Sequence, residues 1–423
     1  EKRFGFLLTR AQQRTIREVL TDLSQSRPSL RLIQGDVGCG KTVVAAAAAL
    51  AAIEAGLQVV VMAPTELLAE QHFRTFSKWL KGFDLTPVWL TGKLGARERR
   101  EARSLLATGQ AKIGIGTHAL FQEDVHYRAL GLVIVDEQHR FGVEQRLALR
   151  EKGREGNQLP HQLVMTATPI PRSLTMVLHA DMDVSIIDEM PPGREPVETV
   201  VVPNSRRNEV QERVRRACAD GQRAYWVCPL ITESDLLEAE AVIQRAEALT
   251  KELPDLRIAL LHGRMLSAEK ETLMEAFRAG QVDLLVATTV IEVGVDVPEA
   301  SLMVIENAER LGLAQLHQLR GRIGRGGQRA VCVLLYQAPI GPVAHDRLAM
   351  LRQTNDGFTI ARKDLELRGP GEVLGTRQSG YPEFRIADFV RHQTVFEWVP
   401  NAADQLLKID PERADALIRR WVR

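Results

Sequence analysis

The stretch "RLIQGDVGCGKTVVAAAAAL" (31–50) constrains the fold of this chain more than any other. An apolar run ends at a glycine, and "GDVGCGKT" (35–42) then fits G-x-x-x-x-G-K-[ST] ahead of a helix-forming run. In a strand–loop–helix setting the glycines let backbone N–H groups converge, and the helix N-terminus adds a dipole that favours anions. Such a loop cradles phosphate. Gly35, Asp36, Val37, Gly38, Cys39, Gly40, Lys41 and Thr42 are therefore candidate nucleotide-binding residues. Lys41 is expected to reach the β- and γ-phosphates, and the Thr42 hydroxyl to reach magnesium. The alanines that follow suit a helix packed closely inside a covered sheet.

The same alternation continues along the chain. "RLIQG" (31–35), "VVVMAP" (59–64), "IGIGT" (113–117), "LVIVD" (132–136) and "QLVMTAT" (162–168) read as strands buried on both faces. Helical patterns such as 65–81 and 96–106 separate them. "DEMPPGREPVE" (188–198) is proline-rich and polar, as a linker would be. Beyond it the pattern restarts with "AYWVCPL" (224–230), "RIALLHG" (257–263), "DLLVATT" (283–289), "ASLMVIE" (300–306) and "AVCVLLY" (330–336). Strand–helix alternation of this kind predicts open parallel sheets with right-handed crossovers. From about residue 343 the strand signal fades. Residues 345–368 look helical with a break at 355–357, a Gly-rich loop follows, and two short helical patterns run to the end. The expected architecture is α/β: two similar domains over 1–192 and 193–342, then a mainly helical region over 343–423.

Composition bounds the rest. At 423 residues the chain is too long for one ordinary core. A net charge of +1 neither supports nor excludes nucleic acid, so local clusters must carry that argument. None of the four cysteines lies in a C-x-x-C pair, so neither a zinc site nor a disulfide framework is indicated. The longest apolar run, 43–53, is about half the roughly 20 residues a membrane span needs. The chain opens at Glu1 and enters a structured-looking segment at once, which reads as a fragment that has lost something N-terminal.

"LGLVIVDEQHRF" (130–141) carries the chemistry. Two adjacent carboxylates at the end of a buried strand are costly unless a ligand needs them. Ligands collect at the C-terminal ends of parallel strands. Asp136 would orient magnesium through water, and Glu137 would position and polarise the water that attacks the γ-phosphate.

At this point the chain resembles a known family. "DEQH" is similar to the DExH box of superfamily 2 helicases, and the other helicase motifs follow in order. They are "LTRAQ" (8–12), "APTELLAEQH" (63–72), "GTHALF" (116–121), "TAT" (166–168), "HGRM" (262–265), "ATTVIEVGVDVP" (287–298) and "QLRGRIGRGG" (318–327). The longer strings "DEQHRFGVEQR" (136–146) and "DLELRGPGEVLGTRQSG" (364–380) resemble the RecG family of branched-DNA helicases.

The resemblance implies two tandem RecA-like P-loop domains with ATP in the cleft between them. It implies an ATP-dependent DNA helicase that works on stalled forks and Holliday junctions in recombination and repair. Arg322 and Arg325 would act as arginine fingers in trans, Gln318 would sense nucleotide, and Gln12 would contact adenine. His139, Thr166 and Thr168 would couple hydrolysis to movement, joined by Gly294 and Asp296 from the second domain. Thr65, Glu66, Thr117, His118, Thr288 and Thr289 would line the DNA path, and Arg140 and Arg146, flanking the DEQH extension, are further DNA-binding candidates. Arg347, Arg368 and Gln378 match a helical hairpin and loop that transmit the ATPase cycle to DNA. Aromatic residues make up 5%, which suits a motor gripping duplex phosphates better than one stacking single-stranded bases.

The implied partners and cofactors are duplex arms of branched DNA, ATP and Mg2+, with a single-stranded-DNA-binding protein as a partner of full-length members. The implied setting is a cytoplasmic, nucleoid-associated bacterial monomer without membrane attachment. The family's N-terminal wedge, which holds the fork junction, has no counterpart here, so junction selectivity is expected to be largely lost.

Other classes fit less well. A nucleotide switch or kinase on the same loop would lack the arginines of a second domain, and no N-K-x-D guanine motif occurs. A non-catalytic ATP-binding module would often lack Glu137. An RNA helicase would lack the string at 364–380, whereas the transcription-repair coupling factor, a close relative, shares much of the pattern.

Overall fold

The computed structural model describes residues 6–137, 159–167, 182–229, 235–288, 297, 299–368, 392, 395 and 398–421. Seven strands form the first sheet: β1 (Leu30–Gly35), β2 (Gln58–Met62), β3 (Val88–Leu90), β4 (Ile113–Gly116), β5 (Leu130–Asp136), β6 (His161–Thr166) and β7 (Asp183–Ile187). Their order is β3-β4-β2-β5-β6-β1-β7. Six more form the second: β8 (Glu198–Pro203), β9 (Arg223–Val227), β10 (Ile258–Leu261), β11 (Leu284–Ala287), β12 (Ala300–Ile305) and β13 (Val331–Tyr336). Their order is β10-β11-β9-β12-β13-β8. The strand pairings in both sheets are parallel.

The apolar runs lack alternation because each sheet is covered on both faces. In the first sheet Val59, Val61, Ile113, Ile115, Leu132 and Ile134 enter one core. Their neighbours Val60, Met62, Val133 and Val135 enter the other. The second sheet divides in the same way. Tyr225, Val227, Leu285 and Met303 lie on one side, and Ala224, Trp226, Leu284 and Leu302 on the other.

Helix α1 (Arg10–Leu23) begins at a capping box in which the Thr9 hydroxyl accepts from the Gln12 amide and the Gln12 side chain accepts in return. Helix α2 (Lys41–Glu54) buries seven of its apolar residues, five of them alanines, because its short side chains let it lie close against the sheet. Helices α3 (Glu66–Leu80) and α4 (Ala96–Thr108) follow. The second sheet carries α5 (Arg207–Ala219), α6 (Asp235–Glu252), α7 (Ser267–Arg278) and α8 (Leu313–Arg320). The C-terminal region is helical, as expected: α9 (Pro342–Gln353), α10 (Gly357–Arg368), α11 (Val399–Ile409) and α12 (Pro411–Trp421). Among the described residues no helix is long and apolar enough to cross a membrane.

Three strands go beyond the sequence expectation. β3 and β7 are the two edges of the first sheet, and β8 is an edge of the second. Edge strands are paired on one side only, so they need not read as continuous apolar runs. β3 has three residues, and β7 carries Asp183 and Ser185 within it. β8 starts at Glu198, the last residue of the expected linker, so the second unit opens with β8 and not with "AYWVCPL".

One backbone approach is unusually close. A Cβ added to Gly116 would lie 1.8 Å from the Leu90 carbonyl oxygen of the neighbouring strand. Backbone cannot retreat as a side chain can. Gly116→Ala is expected to destabilise the first sheet by about 1–3 kcal/mol or more, read as a lower urea midpoint. An unchanged midpoint would show that β3 is free to move away.

Candidate active site between the two sheets

The parallel register sets the first half of the site. Ile33 of β1 pairs with Met165 of β6, and Met165 pairs with Asp136 of β5. The loop after β1, the Thr166–Ala167 step after β6 and the carboxylates at the end of β5 therefore emerge side by side. Gly38 and Gly40 adopt φ of +78° and +88°, which a side chain would oppose. At Gly40 a Cβ would also fall 2.3 Å from Gln12 Nε2. Gln12 Nε2 itself donates to the Cys39 carbonyl at 2.8 Å, tying α1 to the loop. The Lys41 ammonium is buried and donates to the carbonyls of Gly35 (2.8 Å) and Asp36 (3.0 Å).

The acidic pair is held with different partners. Asp136 Oδ2 accepts from His72 Nε2 of α3 at 2.7 Å, and its Oδ1 accepts from the Glu137 amide at 3.1 Å. Burial would raise the Asp136 carboxyl, but the His72 hydrogen bond and charge, with Lys41 nearby, hold it below the usual range. Glu137 goes the other way. Burial and the adjacent Asp136 charge push its carboxyl up to about 7, while Lys41, the Ala167 amide and Arg322 oppose them. Its Oε1 accepts from Ala167 N–H at 3.2 Å. Glu137 also sits at φ +52°, a left-handed conformation rare for a residue with a side chain and typical of functional sites.

The second half comes from α8 and the loop after it. Gln318, Arg322 and Arg325 line one cavity of about 650 Å3 together with Lys41, Thr42, Asp136 and Glu137. Arg322 is buried. Arg325 Nε donates to the Gly321 carbonyl at 3.2 Å. The cavity is wide enough for a nucleotide, and its groups suit one: convergent glycine backbone, a lysine resting on two carbonyls and the Cys39 sulfur, and arginines lining it with a carboxylate. Among the described residues no cluster of three or more His, Cys, Asp or Glu could hold a metal by itself. Thr42 and Asp136 fit magnesium, which takes one or two protein ligands and completes its shell with phosphate oxygens and water.

The phosphate loop divides between two cavities. Val37, Gly38, Gly40, Lys41 and Thr42 line the one just described. Asp36 and Cys39 do not; together with Val37, which borders both, they line a second cavity of about 440 Å3. Gly35 lines neither. The Cys39 thiol is buried, which raises its pKa. Asp36 Oδ1 lies 2.5 Å from His317 Nε2 of α8, and its Oδ2 accepts from the Gly357 amide at 3.2 Å.

The remaining expected residues are less closely gathered. Thr65 caps α3, its hydroxyl accepting from Leu68 N–H at 3.3 Å. Glu66 pairs with Lys93 at 2.6 Å. Thr117 and Thr288 are buried, and His118 is exposed. Thr166 ends β6 beside the site. Arg347 donates to the Glu309 carbonyl at 2.7 Å, tying α9 to the second sheet. His139, Arg140, Arg146, Thr168, Thr289, Gly294, Asp296 and Gln378 lie outside the described residues, as does the side chain of Arg368.

Three residues not singled out from the sequence stand within the site. His72 closes the "APTELLAEQH" string, but nothing in that string points to Asp136 as its partner 64 positions away. His317 immediately precedes the "QLRGRIGRGG" string. Arg194 comes from the expected linker, and its guanidinium bridges the Val37 carbonyl (2.6 Å) and the Gly321 carbonyl (3.1 Å) across the cleft.

Comparison with known proteins agrees with this geometry. Residues 9–177 match the DEAD/DEAH box helicase family, 208–327 the helicase conserved C-terminal domain, and 354–418 the C-terminal part of domain 3 of ATP-dependent DNA helicase RecG. The chain is 56% identical over 418 residues to the ATP-dependent DNA helicase RecG of Pasteurella multocida, covering 99% of this chain and 60% of that protein. The RecG of Thermotoga maritima is 48% identical over 412 residues, with 97% and 52% covered. A solved structure of RecG bound to a three-way DNA junction superposes with a TM-score of 0.76 at 46% identity, over 93% of this chain and 51% of that one. More distant helicases share the fold alone, such as yeast Dbp5 bound to RNA, with a TM-score of 0.55 and 15% identity. The chain thus spans between 52% and 60% of the length of these two bacterial relatives. With the motifs, both parallel sheets and the C-terminal region all matched, it belongs to the RecG family of ATP-dependent DNA helicases.

Proposed function

We propose that this chain is the ATP-driven motor of a RecG-type helicase, moving along the duplex arms of branched DNA. In this reading 1–192 and 193–342 are the two halves of the motor, and 343–423 carries its movement to DNA. One observation supports it above the others: Lys41, Thr42, Asp136 and Glu137 of one sheet share a cavity with Gln318, Arg322 and Arg325 of the other.

The residues then take these roles. Lys41 leaves the Gly35 and Asp36 carbonyls for the phosphates of ATP. Asp136, kept ionised and oriented by His72, would hold magnesium together with Thr42. Bound magnesium would neutralise charge on the β- and γ-phosphates. Glu137 orients the attacking water and accepts its proton, a task suited to a carboxyl raised toward neutrality. Arg322 and Arg325 offset charge developing on the γ-phosphoryl group. Because they come from the other half of the molecule, hydrolysis depends on closure of the cleft, and release reopens it.

The test is the rate of ATP hydrolysis with duplex, single-stranded and branched DNA and with RNA. Stimulation by duplex-containing DNA is expected, and stimulation by RNA alone would overturn the reading. On model forks the chain is expected to translocate without strong fork preference. Robust, fork-selective unwinding would overturn that expectation.

A further inference from the structure

One side chain of the phosphate loop, that of Asp36, is engaged away from the cavity that Lys41 and Thr42 line. Asp36 Oδ1 accepts from its own loop at Val37 N–H, 2.6 Å away, and from His317 Nε2 at 2.5 Å. Its Oδ2 accepts from Gly357 N–H, the first residue of α10, at 3.2 Å. One buried carboxylate thus joins the first sheet's loop, the second sheet's α8 and the C-terminal helices.

The contact to α8 is itself relayed. Arg320, one helical turn from His317, donates to His317 Nδ1 at 2.9 Å. Arginine has no acceptor, so Nδ1 must accept and the proton of the ring sits on Nε2, facing Asp36. Arg320 also donates to the carbonyls of Leu351 (2.7 Å) and Thr354 (2.9 Å) where α9 ends. Both ends of the α9–α10 turn are therefore fastened to the same carboxylate, one through Arg320 and His317 and one directly.

We propose that Asp36 is a positioning residue that reports the state of the phosphate loop directly to the α9–α10 turn. The inference rests on the ATPase reading above. The link begins at Lys41, whose ammonium lies on the Asp36 carbonyl. A phosphate that draws Lys41 away removes that restraint, and the loop segment bearing Asp36 readjusts. The cavity of about 440 Å3 bordered by Asp36, His317, Arg320, Asp356 and Phe358 leaves room for the turn to separate from the loop.

The cleanest cut is Gly357→Pro. Gly357 is the first helical residue, a position where a helix tolerates proline; the ring removes the N–H, and its Cδ takes the place of that hydrogen and displaces the Asp36 oxygen. Asp356, whose carboxylate accepts from Phe358 N–H and Thr359 N–H, stays as the cap. Gly357→Ala keeps the N–H and controls for the added carbon.

Amide exchange of peptides spanning 354–361 is measured in the whole chain with and without a non-hydrolysable ATP analogue. Binding of the analogue is followed in the same samples through a fluorescent competitor. The wild-type chain and Gly357→Ala are expected to exchange about tenfold or more faster with nucleotide bound, the scale of one hydrogen bond to a charged group. Gly357→Pro is expected to bind nucleotide normally and to exchange fast in both states.

Equal responses in Gly357→Pro and wild type would overturn the proposal. So would a wild-type chain that binds the analogue without any change at 354–361. A chain that binds no nucleotide would instead sink the ATPase reading and the latch with it. Should Gly357→Pro fail to melt cooperatively, Asp36→Asn decides. Val37 N–H and His317 keep the amide oxygen on their side, so its NH2 faces the Gly357 N–H and breaks the same contact.

Discussion

Replacing Glu137 by glutamine is expected to slow ATP hydrolysis by about 10²–10⁴-fold, the range typical of a lost general base. The amide keeps the size of the side chain and can still accept from Ala167 N–H. It cannot take a proton. Nucleotide affinity should therefore move by no more than about twofold, since the loss falls on the transition state and not on the ground state. Single-turnover hydrolysis beside equilibrium binding of a fluorescent nucleotide separates the two. Equal loss in both would mean that Glu137 only shapes the pocket. A small loss in hydrolysis would mean that another group positions the water. The positive φ of Glu137 gives the experiment a second reading, because glutamine tolerates that conformation no better than glutamate. A change in stability between the two proteins would thus not come from the backbone.

Arg322→Ala is expected to cost about 10³–10⁵-fold in hydrolysis, as loss of an arginine finger does elsewhere. Arg322 is the stronger candidate of the pair. It is buried, and its charge reaches Glu137 across the cleft. Arg325 is half-buried, with its Nε on the Gly321 carbonyl. Arg325→Ala should accordingly cost less than Arg322→Ala in the same single-turnover assay. Arg322→Lys should restore little, because an ammonium cannot reproduce a planar two-pronged donor. If Arg325→Ala proved the more damaging, the cleft would have to rearrange on closure so that Arg325 replaces Arg322 at the phosphate.

Both predictions join residues that are far apart in the chain, and this marks the limit of what could be read from sequence. The amino-acid order alone determined the fold class and most central strands. Strands covered on both faces read as continuous apolar runs, and the runs at 59–62, 113–116 and 132–136 are buried throughout. It also determined the chemical elements of the site. A glycine loop with Lys41 and a carboxylate pair at a strand end are local patterns whose meaning depends on spacing. Edge strands such as β7 escaped because half-exposed backbone leaves a weak pattern.

Only the tertiary structure decided which residues meet. His72 finds Asp136 because α3 lies over the strand end, not because of anything in its neighbours. Arg194 left an apparent linker to clamp two carbonyls in the cleft. Asp36 reads in sequence as one more phosphate-loop residue, yet its carboxylate turns away from the nucleotide cavity to His317 and Gly357, 281 and 321 positions distant. Burying that charge is tolerable only because three donors converge on it. Such convergence is a property of packing, because pairings at that separation leave no periodicity in the chain.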